Sequence, residues 1–181
     1  MYTWGAVPAI SVIAVDFKIW GDSGIEGMDR TLRDDELEAW RTFLQAHAAA
    51  IGRIEEEVAR AGGIPLVDYD VLVALEHAPE RRLRLRDLQR GVLLTRSGIT
   101  RLVDRLETAG FLQRERFGTD RRAVYAVLTD AGQDAIRRTW PTYARGIERH
   151  FARHLTPEHV PVLTAELQRV ADSFGLEPRT R

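Results

Sequence analysis

The chain has 181 residues, with 26 lysines and arginines against 27 acidic residues for a formal net charge of −1 at pH 7, which is length enough for one well-buried domain or two small ones sharing a core. It has no cysteine, and this excludes disulfides, thiolate metal sites and cysteine-based peroxide sensing. The apolar run at residues 6–15 is interrupted by Asp16 and Lys18 well before the roughly 20 residues a membrane helix needs, and no basic segment precedes it as a secretory signal requires.

Residues 1–33 read as an N-terminal extension with little helical period. It is either a β-prone arm that packs on a partner or sequence upstream of a natural start at Met28. A long helix is predicted over residues 34–61, opened by Asp34, Asp35 and Glu36, with Leu37, Trp40, Leu44, His47, Ile51, Ile54 and Val58 on one stripe. Gly62 and Gly63 stop it. Pro65 and Asp68 introduce a shorter helix carrying Tyr69, Val71, Leu72 and Leu75, which ends near Pro79.

From Leu85 onward the order of elements becomes specific. A short helix over residues 85–91 has Leu85 and Leu88 on one face and Gly91 at its end. Val92, Leu93 and Leu94 make an apolar turn. The next helix opens at Thr95 or Ser97 and buries Ile99, Leu102, Val103 and Leu106, leaving Thr95, Arg96, Ser97, Thr100, Arg101 and Arg105 on the other face. Such side chains suit a helix in a major groove, where arginine bonds guanine edges and hydroxyls bond phosphates or bases. Gly110 caps the helix, residues 111–117 alternate as a strand, and residues 123–128 return as a β-branched and aromatic strand. Asp120, Arg121 and Arg122 stand at the hairpin tip, where an arginine can enter a narrow minor groove.

After the cap pair Thr129 and Asp130, Ile136, Trp140, Tyr143, Ile147 and Phe151 recur at helical spacing, with Pro141 expected to kink or restart the helix. A last helix starts at Thr156, Pro157 and Glu158 and carries Val162, Leu163, Leu167 and Val170. The expected fold is therefore mainly α with a small β-hairpin wing. Residues 65–129 form a winged helix-turn-helix lobe, and residues 34–64 and 130–175 supply dimerisation helices whose apolar stripes need a partner. A two-fold dimer sets two recognition helices about one DNA turn apart, over a pseudo-palindromic site.

Charge follows the same plan. Between Arg81 and Arg122 there are twelve arginines and five acids, a balance of +7, so the rest of the chain sums to −8. The cations are concentrated on the segment shaped to meet the phosphates of double-stranded DNA. The rival readings are an architectural winged helix without an effector and a protein-binding module of the same shape. No phosphate-binding glycine loop, nucleophile elbow or HExxH pattern supports an enzyme.

The chain resembles the MarR family of bacterial winged-helix regulators over roughly residues 36–171. The resemblance is carried by residues 94–107, by Ala109, Gly110 and Phe111, and by Asp120, Arg121 and Arg122 followed by residues 127–132. It implies a cytoplasmic homodimeric repressor that binds operator DNA and is released by a small molecule, with no cofactor. It assigns Thr95, Arg96, Ser97, Thr100 and Arg101 to the recognition helix and Arg122 to the minor groove, with Asp120 orienting Arg122. Trp40, Phe43, His47 and Tyr69, together with Arg96, are the candidates to line a pocket for a small aromatic or anionic effector, although such aromatics more often serve only the core. The absence of cysteine separates the chain from thiol-based peroxide sensors. His150 and His154 stand four apart on an expected helix, which by itself is too little for a metal site.

Overall fold

The computed structural model describes residues 32–91, 96–116 and 123–174. The N-terminal arm expected over residues 1–31, the turn at residues 92–94 and the hairpin tip fall outside the described residues. Two compact units are distinguished, Met1–Arg53 and Ile54–Arg181.

Helix α1 (Asp34–Arg60) begins with three acidic residues, the charge favoured at the positive end of a helix. The Arg33 backbone N–H donates to Glu36 Oε2 at 3.0 Å, which satisfies one donor beside the first turn. Of the predicted stripe only Ile54 and Val58 are buried. In the first unit Trp40, Phe43 and His47 form an exposed row with successive ring centroids 6.1 Å apart.

In the second unit, α2 (Leu66–His77) lies at the centre, and its Val71, Leu72 and Leu75 have no exposed surface. Around it stand α3 (Leu85–Gly91), α4 (Arg96–Thr108) and α5 (Asp130–His150). The core joins Leu72, Leu75, Leu88, Leu102, Leu106 and Leu112 with Ala126, Leu128 and Ile136. Burial of each leucine contributes about 1.5–3 kcal/mol relative to leaving it in water. The spacing of Ile99, Leu102, Val103 and Leu106 thus puts one face of α4 into the core and leaves Thr100 and Arg101 exposed.

The sheet has three antiparallel strands in the order β1-β3-β2: β1 (Arg82–Arg84), β2 (Leu112–Arg116) and β3 (Val124–Leu128). The β2–β3 pairing runs in full register from Leu112 opposite Leu128 to Arg116 opposite Val124. The first strand was not predicted from sequence. It forms because β3 offers its other edge, pairing Arg82 with Val127 and Arg84 with Tyr125.

Two glycines fix the approach to the wing. Gly110 has φ 74°, a conformation that side chains disfavour, and lets the Phe111 N–H reach back to Leu106 O at 2.9 Å. Gly132 lies so near this turn that a Cβ there would be 2.1 Å from Phe111 O. Thr129 caps α5 by accepting from the Gly132 N–H at 3.1 Å, and its hydroxyl donates to Gly110 O at 2.7 Å. The α4–β2 turn and the start of α5 are thereby joined.

Of the two outcomes expected at Pro141, a kink or a restart, the restart does not occur, and helix α5 runs through it. Pro141 is exposed, while the buried Ala135, Ile136, Thr139 and Gly146 on either side hold the helix to the core. The last helix, α6 (Val160–Ser173), begins after a 3₁₀ turn at Pro157–His159, slightly later than expected, and buries no residue.

Candidate nucleic-acid interface

Helices α3 and α4, joined through residues 92–95, precede the β2–β3 hairpin, in the order of a winged helix-turn-helix. Helix α4 opens at Arg96. The backbones of Arg96 and Ser97 lie in its first turn, whereas their side chains, like the whole of Thr95, lie outside the described residues. Thr100 and Arg101 are exposed on α4. Asp120, Arg121 and Arg122 also lie outside the described residues. Arg116, at the end of β2 nearest to them in sequence, is exposed.

Further along α4 the charged side chains have internal partners. Arg105 belongs to the face expected to meet DNA, yet its guanidinium forks onto Asp68 of α2, with Nε donating to Oδ2 at 3.2 Å and Nη2 to Oδ1. The Asp68 side chain is 6% exposed and that of Arg105 47%. Arg105 is therefore a strut between the two helices, a role that charge counting does not distinguish from a phosphate contact.

The second anchor runs between α4 and the wing. Arg114, in the middle of β2, donates from one guanidinium nitrogen to Glu107 and from another to Asp104, and its backbone N–H donates to Glu107 Oε1 at 3.0 Å. Burial opposes the charge on Arg114, but the hydrogen bond to Asp104 and the field of Glu107 outweigh it and raise the guanidinium pKa. Sequence reasoning assigned Arg114 no role. The only trace was its alternation with Leu112 on one face of a strand.

A third group of arginines lies on the outer face of the sheet. Arg84 Nε donates to the Tyr125 hydroxyl at 2.8 Å, and the Arg82 and Arg84 guanidinium groups stand 5.9 and 5.5 Å from the Tyr125 ring centroid. Arg82 also pairs with Glu80 at 2.5 Å.

The proposed effector residues have different settings. Tyr69 is a core residue, edge-on to Tyr143 of α5 with centroids 5.2 Å apart, and burial, reinforced by nearby acidic groups, pushes its hydroxyl up to about 12. Trp40, Phe43 and His47 are the exposed row on α1 described above. The two histidines do not share the helix expected to carry both. His150 is the last residue of α5 and lies 2.9 Å from Glu57 Oε1, while His154 lies in the next 3₁₀ turn, with its Nε2 3.1 Å from Arg149 O.

The sequence model of the MarR family matches residues 62–123. The uncharacterized HTH-type transcriptional regulator YkoM of Bacillus subtilis is 29% identical over 146 residues, spanning 78% of this chain and 92% of that protein. The HTH-type transcriptional regulator MhqR of the same organism is 31% identical over 108 residues, or 60% of this chain and 72% of MhqR. Among solved structures, Sco3205, a MarR family transcriptional regulator from Streptomyces coelicolor in complex with DNA, is 33% identical. That alignment covers 84% of this chain and 94% of Sco3205, with a TM-score of 0.74.

Proposed function

The chain belongs to the MarR family of winged helix-turn-helix transcriptional regulators, and from this premise we propose that it is a homodimeric repressor that binds a pseudo-palindromic operator and leaves it when a small molecule binds. The observation that carries the reading is α4 itself. Its apolar face is locked into the core while Thr100 and Arg101 stand exposed on it, in a chain similar to a regulator solved with DNA. In this reading Arg96, Ser97, Thr100 and Arg101, with Thr95, meet the major groove, and Arg121 and Arg122 at the wing tip meet the adjacent minor groove.

The dimer is supported by what α5 and α6 leave uncovered. Val160, Leu167 and Val170 recur on one stripe of α6, continued by Phe174 just past its end, and are each at least 40% exposed, and Trp140 and Phe151 of the α5 region are similarly open. Apolar surface of this extent is rarely left to water by a monomer. A second copy of the chain would cover it and bring two recognition helices onto one face of the DNA. The effector reading rests on the family alone, since Tyr69 is taken up by the core and the Trp40, Phe43 and His47 row is exposed.

The test is binding of the purified protein to the DNA upstream of its own gene and to a scrambled duplex, titrated over salt. Specific binding by a dimer is expected, with log K falling by about 0.9 per phosphate neutralised per decade of salt. Equal, weak affinity for both duplexes would favour an architectural protein. No binding at low salt would refute the DNA reading. A screen of small aromatic acids against the bound duplex then tests release.

A further inference from the structure

The wing and the recognition helix are different elements that must reach two grooves at once. The β2–β3 ribbon is held at its base by Leu112 and Leu128, which are buried in the core. Two residues out from Leu112, on the face that turns toward α4, stands Arg114. Its guanidinium bridges Asp104 and Glu107, which lie three residues apart on α4, and Glu107 also accepts the Arg114 backbone N–H. One carboxylate thus holds both the strand and its side chain.

The same geometry argues against Arg114 as a DNA contact. Its side chain is 27% exposed, whereas that of Asp104 is 57% exposed. The three charges sum to −1, so the cluster presents more acid than cation to solvent. A phosphate drawn to Arg114 would have to displace a carboxylate, and it would be repelled by the other.

We propose that Arg114, clamped by Asp104 and Glu107, is the positioning residue that couples the wing to the recognition helix, so that major-groove and minor-groove contacts act as one bivalent reader. Two binding elements held in fixed register reinforce each other, because the second contact forms at high effective concentration once the first is made. If the clamp is opened, each contact survives singly but the reinforcement weakens. This rests on the DNA-binding reading above and adds to it the origin of flank preference.

The experiment uses a duplex selected from a random pool by the wild-type protein, and a second duplex with the same core and length but with G·C pairs replacing the flanks, where the minor groove is wider. The variants are Arg114→Gln and Asp104→Asn, the latter removing a single arm of the clamp on the exposed side. The wild type is expected to prefer the selected flanks by about tenfold, Arg114→Gln to bind both duplexes like the wild type on G·C flanks, and Asp104→Asn to fall between them. The slope of log K against log salt stays the same for all three, since no phosphate contact is removed.

A variant that merely misfolds loses binding to both duplexes by one factor and keeps the flank ratio. A retained ratio therefore overturns the proposal, and so does a salt slope lowered by about one, which would make Arg114 a phosphate contact. A wild type that binds the core but ignores the flanks overturns it too, leaving the regulator reading intact. A wild type that selects no sequence removes both, and this is seen before any variant is made.

Discussion

Cutting the Asp68–Arg105 pair is expected to have opposite consequences for its two ends. The Asp68 side chain is 6% exposed and that of Arg105 47%, so the partner left behind differs. Replacing Arg105 by leucine strands a buried carboxylate, a situation that costs about 3–5 kcal/mol when a buried pair is broken. Asp68 lies in the first turn of α2, where the helix dipole returns about 0.3–1 kcal/mol. The expected loss for Arg105→Leu is therefore about 3 kcal/mol. Replacing Asp68 by asparagine leaves an arginine already half in water, which rehydrates, so that loss is about 1.5 kcal/mol, the worth of a hydrogen bond to a charged group. In the double variant neither charge is stranded, and it should fall short of the sum by about 2 kcal/mol. Urea unfolding of the four proteins measures this, at one protein concentration because assembly shifts apparent stability. Equal losses for the two single variants, or strict additivity, would refute the reasoning.

Three further outcomes are expected. Gly132→Ala places a Cβ 2.1 Å from Phe111 O and 2.7 Å from Leu128 Cδ1 and should cost about 3 kcal/mol in urea unfolding, since neither the carbonyl nor the core side chain moves freely. Thr129→Ala removes the α5 cap and should cost about 1 kcal/mol, whereas Thr129→Ser, which keeps the hydroxyl, should cost less. Glu57 has its carboxyl held below the ordinary 4.5 by the hydrogen bond with His150 first and by Arg149 after it, against an opposing effect of burial. A lowered folded-state pKa means that this stabilisation is present above pH 4.5 and is lost as pH falls through the folded value. Melting temperature followed below that pH should therefore fall less steeply for Glu57→Gln than for the wild type, and parallel curves would deny the pair a role.

The elements that sequence made legible are those whose signal is local. The spacing of Ile99, Leu102, Val103 and Leu106 marked the buried face of α4, Gly110 its end, and Thr129 the start of α5, and each is found in that role. Strand β1 was invisible because Arg-Leu-Arg carries no strand pattern of its own and exists only by pairing with β3. The strut and the clamp were hidden for a related reason. Arg105 meets an aspartate 37 positions away in the chain, and Arg114 meets two residues of a different element. A pattern of spacing reports which side chains share a face, but not which of them will find a partner across the core.

That distinction changes what the arginine-rich segment implies for DNA affinity. Twelve arginines lie between Arg81 and Arg122, yet many are already occupied. Arg81, Arg82, Arg86, Arg105 and Arg114 pair with Asp130, Glu80, Asp87, Asp68, and Asp104 with Glu107, respectively, and Arg84 is bonded to Tyr125. Arg101 and Arg116 are exposed and form no ion pair with another described residue. A guanidinium that already faces a carboxylate has little left to exchange for the counterions condensed on DNA, so it adds little to the salt dependence of binding. The cations that set the slope are then Arg84, whose tyrosine partner is neutral, Arg101, Arg116 and whichever of Arg90, Arg96, Arg121 and Arg122 reach a phosphate. Seven such contacts per protomer bound the slope at about 6 per protomer, little more than half of what the bare arginine count suggests. A measured slope well above that bound would mean that the internal pairs open on DNA, and that the strut at Arg105 and the clamp at Arg114 are themselves given up to bind it.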